Sequence, residues 1–288
     1  MTKLPSDIPI LAGASSLAAR YSIWLCDIWG VLHDGIVSFA PAVAALTAFR
    51  QHGGLVVLIT NAPRPHDDVA HQIARLGIGA SAYDAIVTSG DVTRGLIEEY
   101  AGKGLVHIGP EKDRCLFAGL HARLVADAEA EAVVCSGLVD DTHETPAAYA
   151  VQLAALRARD LPMICANPDL VVMRGADMCY CAGALGQAYE ALGGAVTYAG
   201  KPHAPIYAAA LARAEAIRGR AIAKSEMLAI GDGLNTDILG AQRYGIDRLY
   251  IASSIHLEAG ATLNAAALAK LFAHRTDHPV AAQAELAW

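Results

Sequence analysis

The sequence predicts an α/β protein with a parallel β-sheet and a second, smaller α/β unit. Three observations lead there. Short apolar runs bounded by Gly, Pro, Asn or Asp alternate with stretches of helical periodicity, the pattern of strands joined by crossover helices. The runs are apolar almost throughout, rather than at every second position, as in strands covered on both faces. The chain has 288 residues, enough for about two domains at roughly 100–200 residues each.

The elements follow in order. Ser22–Asp27 reads as a strand, Pro41–Arg50 as a helix ended by Gly53 and Gly54, and Gly54–Thr60 as the next strand. His66–Leu76 is a helix after Pro63 and Pro65, Ala85–Thr88 a strand and Asp91–Tyr100 a helix. A second set has strands at Gly104–Ile108, Ala132–Cys135 and Pro162–Cys165. It also has a helix at Pro146–Arg159, capped by Thr145 and started by Pro146. The closing third returns to the first style, with a strand at Val196–Ala199 and a helix at Pro205–Ile217. A strand at Met227–Ile230, a helix at Thr236–Tyr244 and a strand at Leu249–Ala252 precede a Leu/Ala-rich helix through Phe272. The tail Thr276–Trp288 shows no pattern, and there is no internal repeat.

Composition excludes several classes. Hydrophobic residues make up 54% and charged residues 18%, with a mean hydropathy of +0.33, which excludes intrinsic disorder. No window approaches the ~18 uninterrupted apolar residues of a membrane span. The net charge of −7 leaves no polybasic footprint, so neither nucleic acid nor an anionic membrane is an expected partner. Pro5, Asp7 and Pro9 interrupt any signal-peptide pattern. Most of the six scattered cysteines sit in apolar runs, as reduced thiols do. The expected location is the cytoplasm.

Four clusters carry chemistry, each at the end of an apolar strand, where open α/β sheets bind ligands. They are DIWGVLHDG from Asp27 to Gly35, ITNAPRP with Thr60 and Asn61, YAGKPHAPIY with Lys201, and AIGDGLNTDI with Asp232 and Asp237. A single carboxylate after a strand is commonly a helix cap or turn former, and Gly-Lys-Pro is a common turn. Together, however, three carboxylates, a lysine and a hydroxyl are expected to converge on one edge of one sheet. Hard carboxylate oxygens suit Mg²⁺, and a lysine beside a bound metal suits a phosphoryl group.

In order and spacing, these motifs resemble those of the haloacid dehalogenase superfamily of Asp-nucleophile phosphotransferases. The long insertion between Thr60–Asn61 and Lys201 is similar to that of class IIA, the NagD-type and 4-nitrophenylphosphatase-like branch. Within it, Gly137–Tyr149 and Cys165–Val172 resemble that branch's cap segments. The resemblance implies a three-layer Rossmann-like core with a parallel sheet, formed by residues 1–88 and 186–288. Residues 89–185 would form an inserted α/β cap of the C2 type. It further implies Mg²⁺-dependent hydrolysis of a small phosphorylated metabolite and a homodimer formed through the cap.

Residue by residue, the resemblance implies that Asp27 is the nucleophile forming an aspartyl-phosphate. Asp27, the backbone carbonyl of Trp29 and Asp232 would hold Mg²⁺, with Asp237 behind them holding metal waters or Lys201. Thr60 and the Asn61 backbone would bind phosphoryl oxygens, Lys201 would neutralise nucleophile and transferring group, and Gly30 would permit the tight turn. One position departs from the pattern. Family phosphatases usually place a second Asp two residues after the nucleophile, as general acid and then general base, and here Trp29 stands there. An indole cannot exchange a proton near neutral pH, and losing such a group typically costs ~10²–10⁴-fold. His33 or Asp34 could supply the proton instead, or form a solvent-facing Asp-Gly turn. The departure leaves two alternatives, a weak or inactive phospho-ligand binder and a phosphotransferase or phosphonate-type enzyme.

Lesser candidates are Asn167 and Asp169, which would line the cleft and contact substrate from the cap. The run Asp140–Glu144 either faces the substrate or forms a solvated loop at a helix entry. Cys179 and Cys181 lack the second ligand pair that a zinc site needs.

Overall fold

The computed structural model describes residues 8–174, 177–252 and 263–288. The amino-terminal reading that rests on Pro5 and Asp7 lies outside these residues. The protein is α/β and Rossmann-like. It forms two compact units, one from Met1–Thr60, Ala70–Val87 and Tyr207–Trp288, the other from Asn61–Val69 and Thr88–Ile206.

The first unit carries β1 (Ile23–Asp27), β2 (Leu55–Thr60) and most of β3 (Ala85–Thr88). Among the described residues thirteen strands are numbered in chain order, and the later ones of this unit are β11 (Met227–Gly231), β12 (Asp247–Ile251) and β13 (Ala281–Gln283). The sheet order is β13-β12-β11-β1-β2-β3. Every residue of β1, β2 and β11 is buried, because these central strands are covered on both faces; that is why they read as unbroken apolar runs. Parallel pairing aligns Cys26 with Ile230 and Asp27 with Ile59. Asp27, Thr60 and Asp232 therefore stand at the carboxyl ends of three adjacent strands.

The second unit carries β4 (Gly104–Ile108), β5 (Arg123–Leu124), β6 (Ala132–Cys135), β7 (Met163–Cys165) and β10 (Val196–Tyr198), all parallel, in the order β10-β7-β6-β4-β5. Alternate side chains enter separate cores. Val106, Val133 and Cys135 join Leu153, Leu185 and Tyr189 on one face, while Leu105, Ala132 and Val134 join Ile97 and Leu116 on the other. A two-stranded antiparallel hairpin, β8 (Val171–Arg174) with β9 (Asp177–Tyr180), follows β7.

Several expectations change. The strand expected at Val196–Ala199, in the style of the first strands, spans Val196–Tyr198 and pairs with Met163–Cys165 of the second sheet. The helix Ala182–Ala191 likewise packs Ala182, Leu185 and Tyr189 into the second unit's core, so that unit extends past residue 185. The expected single helix Pro146–Arg159 is a 3₁₀ turn, Pro146–Tyr149, followed by an α-helix, Ala150–Ala158, and the Thr145 side chain makes no cap bond. The helix expected from Thr236 opens as a π-turn, Leu234–Ile238, before Leu239–Tyr244. The helix expected from Asp91 begins at Ser89, where Thr88 and Asp91 form a capping box. The short strand β13 lies within the tail that showed no pattern. Among the described residues, none of the six cysteines is in a disulfide. Among the described residues, no helix is long and apolar enough to cross a membrane.

Candidate active site

The first unit brings Asp27, Asp232 and Asp237 together. All three are buried, and one ligand atom from each lies within 4.8 Å of the others. Among the described residues, this is the one group of His, Cys, Asp and Glu so placed. Asp27 ends β1, where the Ile28 N–H donates to its Oδ1 at 2.7 Å. Asp232 follows β11. Asp237 lies in the π-turn, and its Oδ2 accepts from the Gly233 N–H at 3.2 Å and the Thr236 hydroxyl at 3.3 Å. Asp237, expected behind the metal, is thus a member of the cluster itself.

Glycine makes this crowding possible. Gly30 has φ +81°, and a Cβ there would lie 2.2 Å from Asp232 Oδ2. A Cβ on Gly231 would lie 2.1 Å from Asp237 Cγ. Any larger residue at either position would displace a carboxylate. Like charges at such range repel by ~1 kcal/mol at 4 Å in water and several-fold more in a protein interior. The three hard oxygen donors fit a divalent cation that relieves this repulsion, and Mg²⁺ or Ca²⁺ suits them chemically. Thr60, at the end of the neighbouring β2, is also buried.

The loop after Asp27 carries Trp29, whose side chain is 40% exposed. Its ring lies against the hairpin so closely that a Cβ on Gly35 (φ +95°) would come within 2.5 Å of it. It also meets the His33 ring edge-on at 5.3 Å. His33 is buried, and its Nδ1 accepts the Gly35 N–H at 2.9 Å, so the neutral ring carries its proton on Nε2. Burial lowers its pKa, against a smaller opposing effect of the Asp34 charge. Asp34 Oδ1 accepts from the Ile36 and Val37 N–H groups, both at 2.9 Å; the Val37 bond, then the Ile36 bond, lowers its pKa. Of the two readings of this pair, the structure shows the turn. Asp34 is an exposed Asx-turn former and His33 a buried ring that disfavours protonation, so neither is suited to donate a proton near neutral pH.

The second unit brings together Asn61, Lys201, Asp169 and Asn167. Lys201 follows β10 and is buried. It therefore sits beyond a strand of the five-stranded sheet, whereas the one-edge expectation holds for Asp27, Thr60 and Asp232. Asn61 Oδ1 accepts the Lys201 N–H at 2.7 Å, and Asn61 Nδ2 donates to the Lys201 carbonyl at 3.0 Å and to Asp169 Oδ1 at 2.9 Å. Asn167 Oδ1 accepts the Asp169 N–H at 3.0 Å. The sequence suggested only a backbone role for Asn61; an Asn on the residue after a strand was the signal, but its partner lies 140 positions away.

The run Asp140–Glu144 bonds largely within itself. Asp140 accepts from Thr142 and pairs with His143 at 2.8 Å, while Glu144 accepts from Tyr149 at 2.6 Å. Asp140, Thr142 and His143 are exposed, ahead of the 3₁₀ turn Pro146–Tyr149.

The family pattern described as haloacid dehalogenase-like hydrolase matches residues 24–123, and a HAD-hydrolase-like pattern matches residues 198–283. The structure is similar to a hydrolase of the haloacid dehalogenase-like family from Brucella suis 1330, at 45% identity and TM-score 0.85, over 96% of this chain and 100% of that one. It is also similar to a possible sugar phosphatase of the HAD superfamily from Cytophaga hutchinsonii, at 22% identity and TM-score 0.78, over 97% and 98% of the two chains. A third likeness is to a glycerol phosphate phosphatase from Mycobacterium tuberculosis in complex with magnesium, at 24% identity and TM-score 0.70, over 92% and 75%. No curated protein sequence matches the chain.

The His33 geometry has a measurable consequence. Its ring nitrogens, followed by NMR, should titrate with a midpoint below the ~6.5 of a free histidine. Nε2 should stay protonated and Nδ1 bare at pH 7. Because the folded state resists protonation, the histidine's contribution to stability is full above about pH 6.5 and declines as pH falls below it. A midpoint at or above 6.5 would contradict the buried, hydrogen-bonded placement.

Proposed function

The chain belongs to the haloacid dehalogenase-like hydrolases, and we propose that it is of the class IIA branch and hydrolyses a small phosphorylated metabolite with Mg²⁺ through phosphorylated Asp27. The observation that carries this reading is the buried cluster of Asp27, Asp232 and Asp237, whose three hard oxygen donors suit a divalent cation. Asp27, Asp232 and the Trp29 carbonyl would hold Mg²⁺, with Asp237 beside them. When bound, the ion offsets the repulsion between the Asp27 carboxylate and a phosphate dianion. The mycobacterial phosphatase is found in complex with magnesium and in complex with calcium, which supports a divalent ion at this site.

In this reading an Asp27 oxygen attacks phosphorus, and the bond to the leaving oxygen breaks with its electron pair going to that oxygen. Water then cleaves the aspartyl-phosphate, releasing phosphate and restoring the carboxylate. The Ile28 N–H on Oδ1 restrains the carboxylate's rotation. Thr60 and the Asn61 backbone would bind phosphoryl oxygens, and Lys201 would neutralise the charge on the transferring group. Asn167 and Asp169 would serve the substrate side from the cap. The cap itself would exclude water.

Trp29, His33 and Asp34 favour a second emphasis. With indole at the acid position and both neighbours committed to the hairpin, protonation of the leaving oxygen has no supplier on this loop. The chain would then be fast on leaving groups that need no proton and slow, or merely binding, on alkyl phosphates. Cytoplasmic location and a homodimer through the cap remain parts of the proposal.

Mg²⁺-dependent turnover of 4-nitrophenyl phosphate should be measurable and should vanish in Asp27→Asn and with EDTA. Activity unchanged by Asp27→Asn would end the hydrolase reading. A simple alkyl phosphate should be turned over at least ~10² less well, the usual size of a general-acid contribution. Trp29→Asp should narrow that gap by tenfold or more; no change, or a wider gap, would contradict this account of position 29.

A further inference from the structure

We propose that the Asn61 side chain is a positioning residue for Lys201, clamping the lysine's main chain so that its ammonium projects in one direction. The inference rests on the reading of Lys201 as the phosphoryl-facing cation. A lysine side chain has four rotatable bonds and a compact charge, so its aim depends on how firmly its backbone is held.

Asn61 holds it at both polar atoms of one residue, the Lys201 N–H at 2.7 Å and the Lys201 carbonyl at 3.0 Å. The lysine's N–H can only donate and its carbonyl only accept, which sets the carboxamide's orientation without ambiguity. Two such bonds to one residue restrict its peptide planes, and all of them are buried, with Asn61 7% and Lys201 2% exposed. Buried hydrogen bonds of this kind are costly to leave unmade.

The surroundings are shaped to the clamp. A Cβ on Gly200 would lie 2.4 Å from Asn61 Oδ1 and 2.8 Å from Pro168 Cδ, so only glycine lets the carboxamide reach across. The amide is braced from its other side, because Nδ2 also donates to Asp169 Oδ1 at 2.9 Å. Asp169 is in turn seated by its N–H on Asn167 Oδ1 at 3.0 Å. The two residues that the sequence assigns to the cleft thus form a chain, Asn167 to Asp169 to Asn61, that ends on the lysine's backbone. Asn61 is then bifunctional. Its main chain is placed by Thr60 at the end of β2, and its side chain governs a residue of another sheet.

The test is a double-mutant cycle on full-length protein, with kcat and KM for 4-nitrophenyl phosphate at saturating Mg²⁺. Lys201→Ala should impair turnover strongly, and Asn61→Ala should lower kcat/KM by about 30–100-fold, the scale set by a misplacement near 1 Å. In the Lys201→Ala background, Asn61→Ala should cost less than about threefold more, because a residue acting through the lysine has nothing left to position. Asn61→Asp keeps the volume and the acceptor but loses the donor to the Lys201 carbonyl; it should reproduce the Asn61→Ala loss and serves if that variant does not fold. Mg²⁺ affinity by calorimetry should stay within about twofold in both Asn61 variants, a split that general unfolding would not produce. Asn61 variants within threefold of wild type, or losses that multiply in the double variant, would overturn the clamp while leaving the lysine's role standing. An unimpaired Lys201→Ala would instead overturn the role of Lys201, and the clamp with it.

Discussion

Three carboxylates share a buried space in which one oxygen of each lies within 4.8 Å of the others, and their mutual repulsion is the constraint around which the first unit is built. Nothing in the apolar strands themselves favours such a cluster. It is imposed by parallel pairing, which brings the carboxyl ends of β1 and β11 side by side, and by a π-turn that folds Asp237 back to the same place. Gly30, Gly231 and Gly233 give up side chains there because a Cβ would strike Asp232, Asp237 or Thr236. The unit supports the charged cluster with fully buried strands on either side, whose apolar burial contributes roughly 25 cal/mol per Å². The proposed Mg²⁺ turns this repulsion into a use, since the same oxygens that repel one another bind the ion together.

The loop between Asp27 and the first long helix sets how the cluster would be used. Trp29, His33 and Gly35 make one small packing unit, and Asp34 closes the turn through its own backbone. That unit is coherent as structure and poor as acid–base chemistry. In the proposed function a half-exposed aromatic ring stands where a proton donor would, which would favour substrates whose leaving oxygen is stable as an anion.

Much of this was legible in the sequence. Asp27, Thr60 and Asp232 were legible because each stands at the end of an almost unbroken apolar run, and Asp237 because it opens the next helix in the sequence reading. The affiliation of Val196–Tyr198 was not legible, because a three-residue strand carries no mark of the sheet it will join; it pairs with Met163–Cys165, and Val196 and Tyr198 pack against the second unit's core. β13 was hidden for the same reason, being Ala-Ala-Gln without β-branched residues. His33 was open between two roles until burial and the Gly35 N–H were known. The Asn61 clamp was invisible, since hydrogen bonds across 140 positions leave no local signature.

The central claim, that the cluster is a repulsive site completed by a cation, is tested most directly by thermal unfolding across a Mg²⁺ titration. Wild-type protein should gain stability with Mg²⁺, by about 2.7 kcal/mol at a hundredfold excess over Kd, and K⁺ at equal ionic strength should not reproduce the gain. Asp232→Asn should start more stable than wild type in the absence of divalent ion, since one repelling charge is gone, and should respond little to Mg²⁺. A wild-type protein indifferent to Mg²⁺, or an Asp232→Asn variant that is less stable without the metal and responds to it normally, would contradict the account.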